Sequence, residues 1–489
     1  MKCHDRKSRV VAALAAAMLI TSQASLQAQT NLSATTSDKP VALAPAAAAK
    51  PAWLSELSLG IHEGYDDNVF RAGSGKNFSL PPYTLPQGGV AAVKGVGSYF
   101  TTISPKMVVD FSKCLGNQDV LQVLSLTYAP DFVQYGDTPT ENYNAHRFAA
   151  AIAGKVDNFS FNVDEGFTYI DGSKIGPSYP GSSWYTPYGQ GVLRERREQS
   201  QDRTTVTLQY DQDDWFFRPT ASLLDYSLDA DMLSTTTYPG YLNYVDRYDA
   251  NAGGDLGYKV DKDFAVTVGY RAGHQYQQKL PYAVDNYQQT ASSDYQRLLV
   301  GFEGKLASWL DAKYQGGPDY RTYDDNAPVR HQCQVDYYGE GALTAKASKD
   351  DTISLNYRQW EWVSSTAKQP YYDSSIGLTY KHNFCDKVSG TVGASLGDAD
   401  YNKGLNYTAG AHTPGTAADY YRDDLLYTFA AGLKYDITAN LSVDVSYTLT
   451  MGRNDDTLAE LATMPSVQLP ATKREFTDQL VSVGMKVKL

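Results

Sequence analysis

The sequence predicts an all-β fold: a transmembrane antiparallel β-barrel of about eighteen strands, with short turns at one end and long loops at the other. Three observations carry that expectation. From Trp53 to Leu489 the chain alternates apolar and polar residues again and again, the period-2 pattern of strands with one greasy and one wet face. Short and long connections alternate along the same stretch, which membrane barrels show and a soluble sandwich has no reason to adopt. The chain also begins like an exported protein, yet no later segment approaches the eighteen consecutive apolar residues of a membrane helix.

Taken in order, residues 1–28 read as an export signal. Lys2, Arg6, Lys7 and Arg9 form a basic start, Val10 to Ile20 an apolar run too short to span a bilayer, and small-residue cleavage sites follow Ala24 or Ala28. Cys3 precedes the apolar run, so it is no lipoprotein anchor. Residues 29–52 are rich in Ala, Thr, Ser and Pro without strand period. They read as a flexible leader on the inner side of the membrane, with Pro45 and Pro51 interrupting any Ala-rich helix. Residues 53–489 are the expected barrel.

Within it, Val156-Asp-Asn-Phe159, Val260 to Phe264, Leu306 to Leu310 and Tyr435 to Leu441 join apolar faces through tight turns. So do the stretches at Lys113–Asp119, Asp211–Asp214, Ser348–Asp351 and Asn383–Lys387, giving eight short connections. Nine others lie between them, mostly longer, such as Arg71–Val96, Gly172–Arg194, Tyr401–Ala417 and Asn454–Thr472. Seventeen connections imply eighteen strands. The clearest strand is Leu441 to Met451: Val443, Val445 and Tyr447 are expected to face lipid, Asp444 and Ser446 the lumen. The last strand carries Val481, Val483, Met485, Val487 and Leu489 on one face, where barrels of the outer membrane generally end on an aromatic residue.

Composition narrows the function classes. The 38 Tyr against 16 Phe and 6 Trp suit two membrane interfaces, where a ring with a polar tip sits best. The net charge is −12, and −15 without the signal, which argues against nucleic acid as a partner. Cys114, Cys333 and Cys385 form neither a disulfide framework nor a C-x-x-C metal spacing. No nucleophile elbow, His-Glu-x-x-His or phosphate-binding glycine loop accompanies the histidines, so no enzyme and no cofactor is expected.

The first strand runs into Glu63-Gly-Tyr-Asp-Asp-Asn-Val-Phe70, followed by Tyr99-Phe-Thr-Thr-Ile-Ser-Pro105. These two motifs resemble the β-barrel porin families of Gram-negative outer membranes, of the exopolysaccharide-associated and Verrucomicrobia-like type. The resemblance covers the first two strands. It implies an outer-membrane barrel and no catalytic residue.

If the polar face lines a lumen, thirteen charged residues are expected on it: Arg147, Arg218, Arg247, Asp249, Asp255, Arg271, Arg297, Glu303, Lys313, Asp336, Glu340, Arg358 and Asp444. Walls of both signs would set up a transverse field and a mild selectivity. Trp360 and Trp362 share a face with Arg358. They could stack on sugars in the lumen, but the preferred reading is an interfacial girdle after a local bulge. His146 and His382 are expected on the outward face. Asp66, Asp67, Asp324 and Asp325 are weak candidates for a Ca²⁺ or Mg²⁺ site, with solvated Asx-turns the default. Glu165 falls on an apolar face, so either a bulge turns it inward, or it lies near an interface, or it meets another subunit.

The expected function is a passive channel for small hydrophilic solutes, saccharides among them, contacting outer-membrane lipid and lipopolysaccharide. A homo-oligomer stays open. So does a rival reading, a non-conducting scaffold or a partner-gated component of exopolysaccharide export.

Overall fold

The structure, a computed structural model, describes residues 51–69, 71, 96–114, 120–172, 196, 198–229, 245–278, 290–325, 327, 329, 331–363, 370–400, 422–456 and 476–489. The expected signal and nearly all of the leader lie outside the described residues, as do most of the long connections. The strands are β1 (Leu54–Asp66), β2 (Ser98–Asp110), β3 (Leu121–Tyr128), β4 (Asp131–Tyr135), β5 (Tyr143–Val156), β6 (Phe159–Asp171), β7 (Gln199–Gln212), β8 (Trp215–Leu228), β9 (Arg247–Lys259) and β10 (Phe264–Gln277). Then come β11 (Ser293–Ala307), β12 (Leu310–Tyr323), β13 (Cys333–Lys346), β14 (Asp351–Val363), β15 (Pro370–Cys385), β16 (Val388–Asp400), β17 (Arg422–Asp436), β18 (Leu441–Asp456) and β19 (Phe476–Lys488).

Every pairing is antiparallel, between neighbours in sequence except where β3 and β4 share a place, and β1 pairs with β19, so the sheet closes on itself. β3 and β4 both bridge β2 to β5, one above the other. They are two halves of a single stave broken at Ala129-Pro130, where the proline has no amide proton for the ladder. Nineteen segments therefore make an eighteen-stave barrel. Closure satisfies the backbone of each stave within the sheet, the condition for a β protein to cross a bilayer.

The connection pattern is the one read from the sequence. One end carries short turns, such as Asp157-Asn158 and Asp213-Asp214, whose first residues sit in the left-handed region at φ 51° and 53°. Aspartate tolerates that conformation better than most residues because its short side chain bonds locally. At Gly304 (φ 119°) a side chain would meet the Asp263 carbonyl, so only glycine fits where β11 passes the β9–β10 turn.

The outer face supplies the apolar belt of an outer-membrane-type barrel. On β18, Val445 and Tyr447 are exposed, while Ser446 bonds Ser482 (Oγ–Oγ 2.8 Å) and Asp444 meets His62 (3.4 Å). The belt continues through Ile61, Ile103, Val268, Val300, Leu378 and Val483. Exposed aromatics gather at its two margins, Trp215, Tyr258 and Trp309 at the turn end and the Tyr65–Tyr99 pair at the loop end. His146 stands among Tyr128, Phe132 and Tyr169, and His382 beside Tyr380 and Phe384. Both histidines are on the outer face, as the alternation required.

Glu165 keeps its place on that face. β6 pairs without interruption to both neighbours, and Glu165 stands half-buried opposite Ala150 and Thr204. The inward bulge that could have removed it from the belt does not exist, since the flanking apolar residues already fix the register.

Two outcomes test this arrangement. With Cys114, Cys333 and Cys385 replaced, a cysteine at position 446 should react with a membrane-impermeant maleimide and one at 445 should not; the reverse would put the register one residue out. Glu165→Leu should stabilise the barrel in bilayers by roughly 1–3 kcal/mol, the size of a lipid-face charge penalty. A loss of stability in denaturant titration would mean that Glu165 bonds its neighbours to net advantage.

Candidate functional site

All thirteen expected lumen residues occupy inward positions in the strand register. Most are already paired along the wall. Arg147 bonds Asp131, Arg218 forks onto Glu303 (Nη1–Oε2 2.9 Å), and Arg271 forks onto Asp255 (2.8 and 3.0 Å). Arg358 reaches Asp373 (3.1 Å). Three of these pairs join inward positions on neighbouring strands, while Arg218 of β8 reaches across β9 and β10 to Glu303 of β11.

The unexpected element is the loop end of the β14–β15 hairpin. The β13–β14 ladder stops at Gly339–Gln359, while β14 stays paired to β15 up to Val363–Pro370. The hairpin end thus leaves the wall and lies inside the barrel against β9, β10 and β12. Main-chain carbonyls hold it: Gln275 Nε2 donates to Glu361 O (2.8 Å) and Arg247 Nη1 to Val363 O (2.6 Å). Arg321 Nη1 pairs with the Glu361 carboxylate (3.6 Å), and the Tyr323 hydroxyl donates to it. Glu361 and Arg321 are both fully buried. Tyr372 bonds the Tyr337 backbone where the ladder has parted (Tyr337 N–Oη 3.2 Å).

This corrects the reading of the tryptophans. Trp360 and Trp362 are not a girdle. They stack on each other inside the barrel (4.7 Å, 12°) and pack with Leu224, Tyr226, Tyr338 and Tyr371. Arg247 lies over Trp362 and Tyr226, 5.0 Å from each ring. The physical reason is the bent hairpin, which carries both indoles away from any lipid. Their faces are occupied by one another, so they are not a bare platform for a sugar.

Behind the hairpin, buried charges form a connected network. Asp319 accepts from Arg297 Nε and Arg321 Nη2 (2.9 Å each), and Asp249 accepts from Tyr295 Oη (2.8 Å) and Gln275 (2.9 Å). Buried ions of this kind need such mutual pairing to offset the water they give up. Toward the turn end opens a cavity of about 550 Å³, within the roughly 300–1,000 Å³ of small-molecule sites. Its charged lining is Arg203, Arg218, Arg271, Arg297 and Lys313 with Asp255, Glu303 and Glu340. Arg203 was not among the lumen candidates, though it stands at an inward position of β7, opposite Gly166 of β6. The strand alternation of Arg203, Thr205 and Thr207 could have found it.

At the loop end of the seam, Asp66 at the end of β1 and the following Asp67 meet Asp478 of β19, one oxygen of each lying within 4.8 Å of the others. Asp478 pairs with Arg71 (3.0 Å), and the Asn68 amide donates to Asp66 Oδ1 (3.0 Å) in the expected Asx-turn. Asp324 and Asp325 join no such group among the described residues.

No protein-family model and no characterised protein sequence matches the chain. Solved structures with a similar course include OccK2 of Pseudomonas aeruginosa in complex with glucuronate, at 12% identity and TM-score 0.40, over 90% of this chain and 100% of that one. The siderophore receptor PirA from Acinetobacter baumannii follows at 9% and 0.41, over 89% and 81%. The outer membrane protein OpdK from Pseudomonas aeruginosa gives 11% and 0.38, over 89% and 99%. What this lumen admits is read from its own side chains.

The double substitution Trp360→Ala/Trp362→Ala should raise single-channel conductance. The rings leave the bore while the main-chain anchors of the hairpin remain. Each truncation of a buried indole costs roughly 3–5 kcal/mol of packing, so heat-modified migration should confirm a folded barrel first. Unchanged conductance in a folded variant would show that ions pass elsewhere.

Proposed function

We propose that the chain is an outer-membrane channel for passive diffusion of small hydrophilic solutes, saccharides among them, of the porin type its first two strands resemble. The supporting observation is a closed barrel, apolar outside, whose inner wall is polar and two-signed around a cavity of about 550 Å³ beneath an inward hairpin. Barrels of sixteen to eighteen strands are wide enough to hold an aqueous path. A narrowing near the loop end, with polar, charged walls below, is suited to sieving solutes by size and charge.

The location is the outer membrane, and on this reading lipid and lipopolysaccharide surround the barrel with the loop end outward. Protease added to intact cells should cut within Gly172–Arg194 or Asn454–Thr472 and spare the Gln29–Ala52 leader. Cutting in the leader alone would invert the topology.

The packed hairpin also favours a second reading, a non-conducting scaffold or a partner-gated export component. Planar-bilayer recording separates the two. Stepwise conductance whose ion selectivity moves toward cations when Arg203 and Lys313 are both changed to Gln supports the channel. A folded barrel without conductance supports the rival.

A further inference from the structure

We propose that the barrel has a lateral port: a slot one strand wide between β13 and β15, closed by the side chain of Tyr372, that takes a hydrocarbon chain of the surrounding lipid. The inference goes beyond the channel reading and stands whether or not the barrel conducts. β13 pairs with β14 over eight positions only, Gly339–Gln359 to Lys346–Thr352, while the ladders on either side run to thirteen. Above Gly339, β13 keeps β12 as far as Cys333–Thr322, and β15 keeps β16 as far as Tyr372–Asp400. β14 alone departs: every residue from Trp360 to Val363 is buried, where a strand in the wall would alternate. Among the described residues no other strand takes its place beside β13. Two sheet spacings, roughly 9–10 Å, then separate the axes of β13 and β15.

The slot opens at the level of hydrocarbon. The Lys346 amide bonds the carbonyl of Trp309, an exposed indole of the turn-end margin, and Gly339 stands seven residues farther up β13. At about 3.3 Å per residue and a tilt near 40°, the parting begins roughly 18 Å above that margin, inside an apolar belt about 25 Å tall. Behind it stand aromatic rings, Trp360, Trp362, Tyr338 and Tyr371. Tyr372 closes the opening. Continued upward, the β13–β14 register would set Glu361 opposite Tyr337, and Glu361 is the β14 partner of Tyr372. The Glu361 carbonyl has turned inward to Gln275 and Arg321. The Tyr372 hydroxyl reaches over the vacated place instead, bonding both the amide (3.2 Å) and the carbonyl of Tyr337. One phenol thus stands in for a backbone pair, and it moves by turning a side-chain rotamer, where a ladder has to unzip. Tyr337 lies two residues above the parting, about 23 Å up, where headgroups and water can take the released backbone groups.

The test reads whether lipid chains touch the interior indoles. With Trp53, Trp184, Trp215 and Trp309 changed to Phe, Trp360 and Trp362 are the fluorophores left. The protein is reconstituted in phosphatidylcholine brominated in mid-chain, which quenches indoles at close range. Two references have every native tryptophan changed to Phe and carry one new one: Leu378→Trp on the lipid face of β15, and Phe100→Trp, buried on the inner side of β2 where the ladder to β1 is continuous. Tyr372→Ala should lose a large part of its fluorescence, between the two references. Tyr372→Phe, with the ring but no hydroxyl, should lose less, and the protein with Tyr372 least. A folded Tyr372→Ala barrel quenched no more than the Phe100→Trp reference overturns the inference. If that variant does not fold, the near-isosteric Tyr372→Phe decides: quenching above the protein with Tyr372 upholds the latch, and equal quenching overturns it. Quenching by a brominated free fatty acid in an unbrominated bilayer, with none by the brominated phospholipid, overturns the lipid chain as the occupant.

Discussion

Backbone hydrogen bonding in a solvent that offers none is the constraint from which the rest follows. A strand in hydrocarbon has to pair on both edges, so the last strand has to find the first. Here β19 pairs along β1 from Ser58–Lys488 to Asp66–Leu480. Once the sheet closes, period 2 sorts every side chain to lipid or lumen, and a one-residue slip would reverse the sorting of a whole strand. The alternation is thus both the signal that identifies the fold and the force that sets its register.

Closure also concentrates charge. Residues far apart in sequence, such as Arg218 and Glu303, become neighbours on an inner wall where they exchange water for each other. The loop half of the barrel goes further. Its interior is filled by the buried Asp249, Arg297, Asp319, Arg321 and Glu361 network on one side and by the Val69, Phe100, Val133 and Tyr135 cluster on the other. The turn half keeps the open cavity. Among the described residues the barrel is therefore asymmetric along its axis, packed near the loops and open near the turns.

The sequence was legible wherever a property depends on local period. Strand count, the side of each turn, the inward set from Arg147 to Asp444 and the outward histidines all follow from alternation and turn residues. The break between β3 and β4 shows only as Pro130, which does not say whether a strand ends or resumes. The hairpin was not legible, because β14 alternates normally to its end and only the β13 partner is lost, from Trp360 onward. Partner choice is a tertiary property. Arg321 and Glu361 find each other across 40 residues of chain and a gap in the ladder, and no spacing rule records that.

The way the hairpin is held has an evolutionary consequence. Two of its anchors are the carbonyls of residues 361 and 363, gripped by Gln275 and Arg247 from the wall. A carbonyl is present whatever side chain accompanies it. The wall thus sets where the aperture stands, while the residues at 360 and 362 set its bore and chemistry. A lineage could exchange those two indoles for smaller or polar groups, and so retune what passes, without rebuilding the grip that positions them.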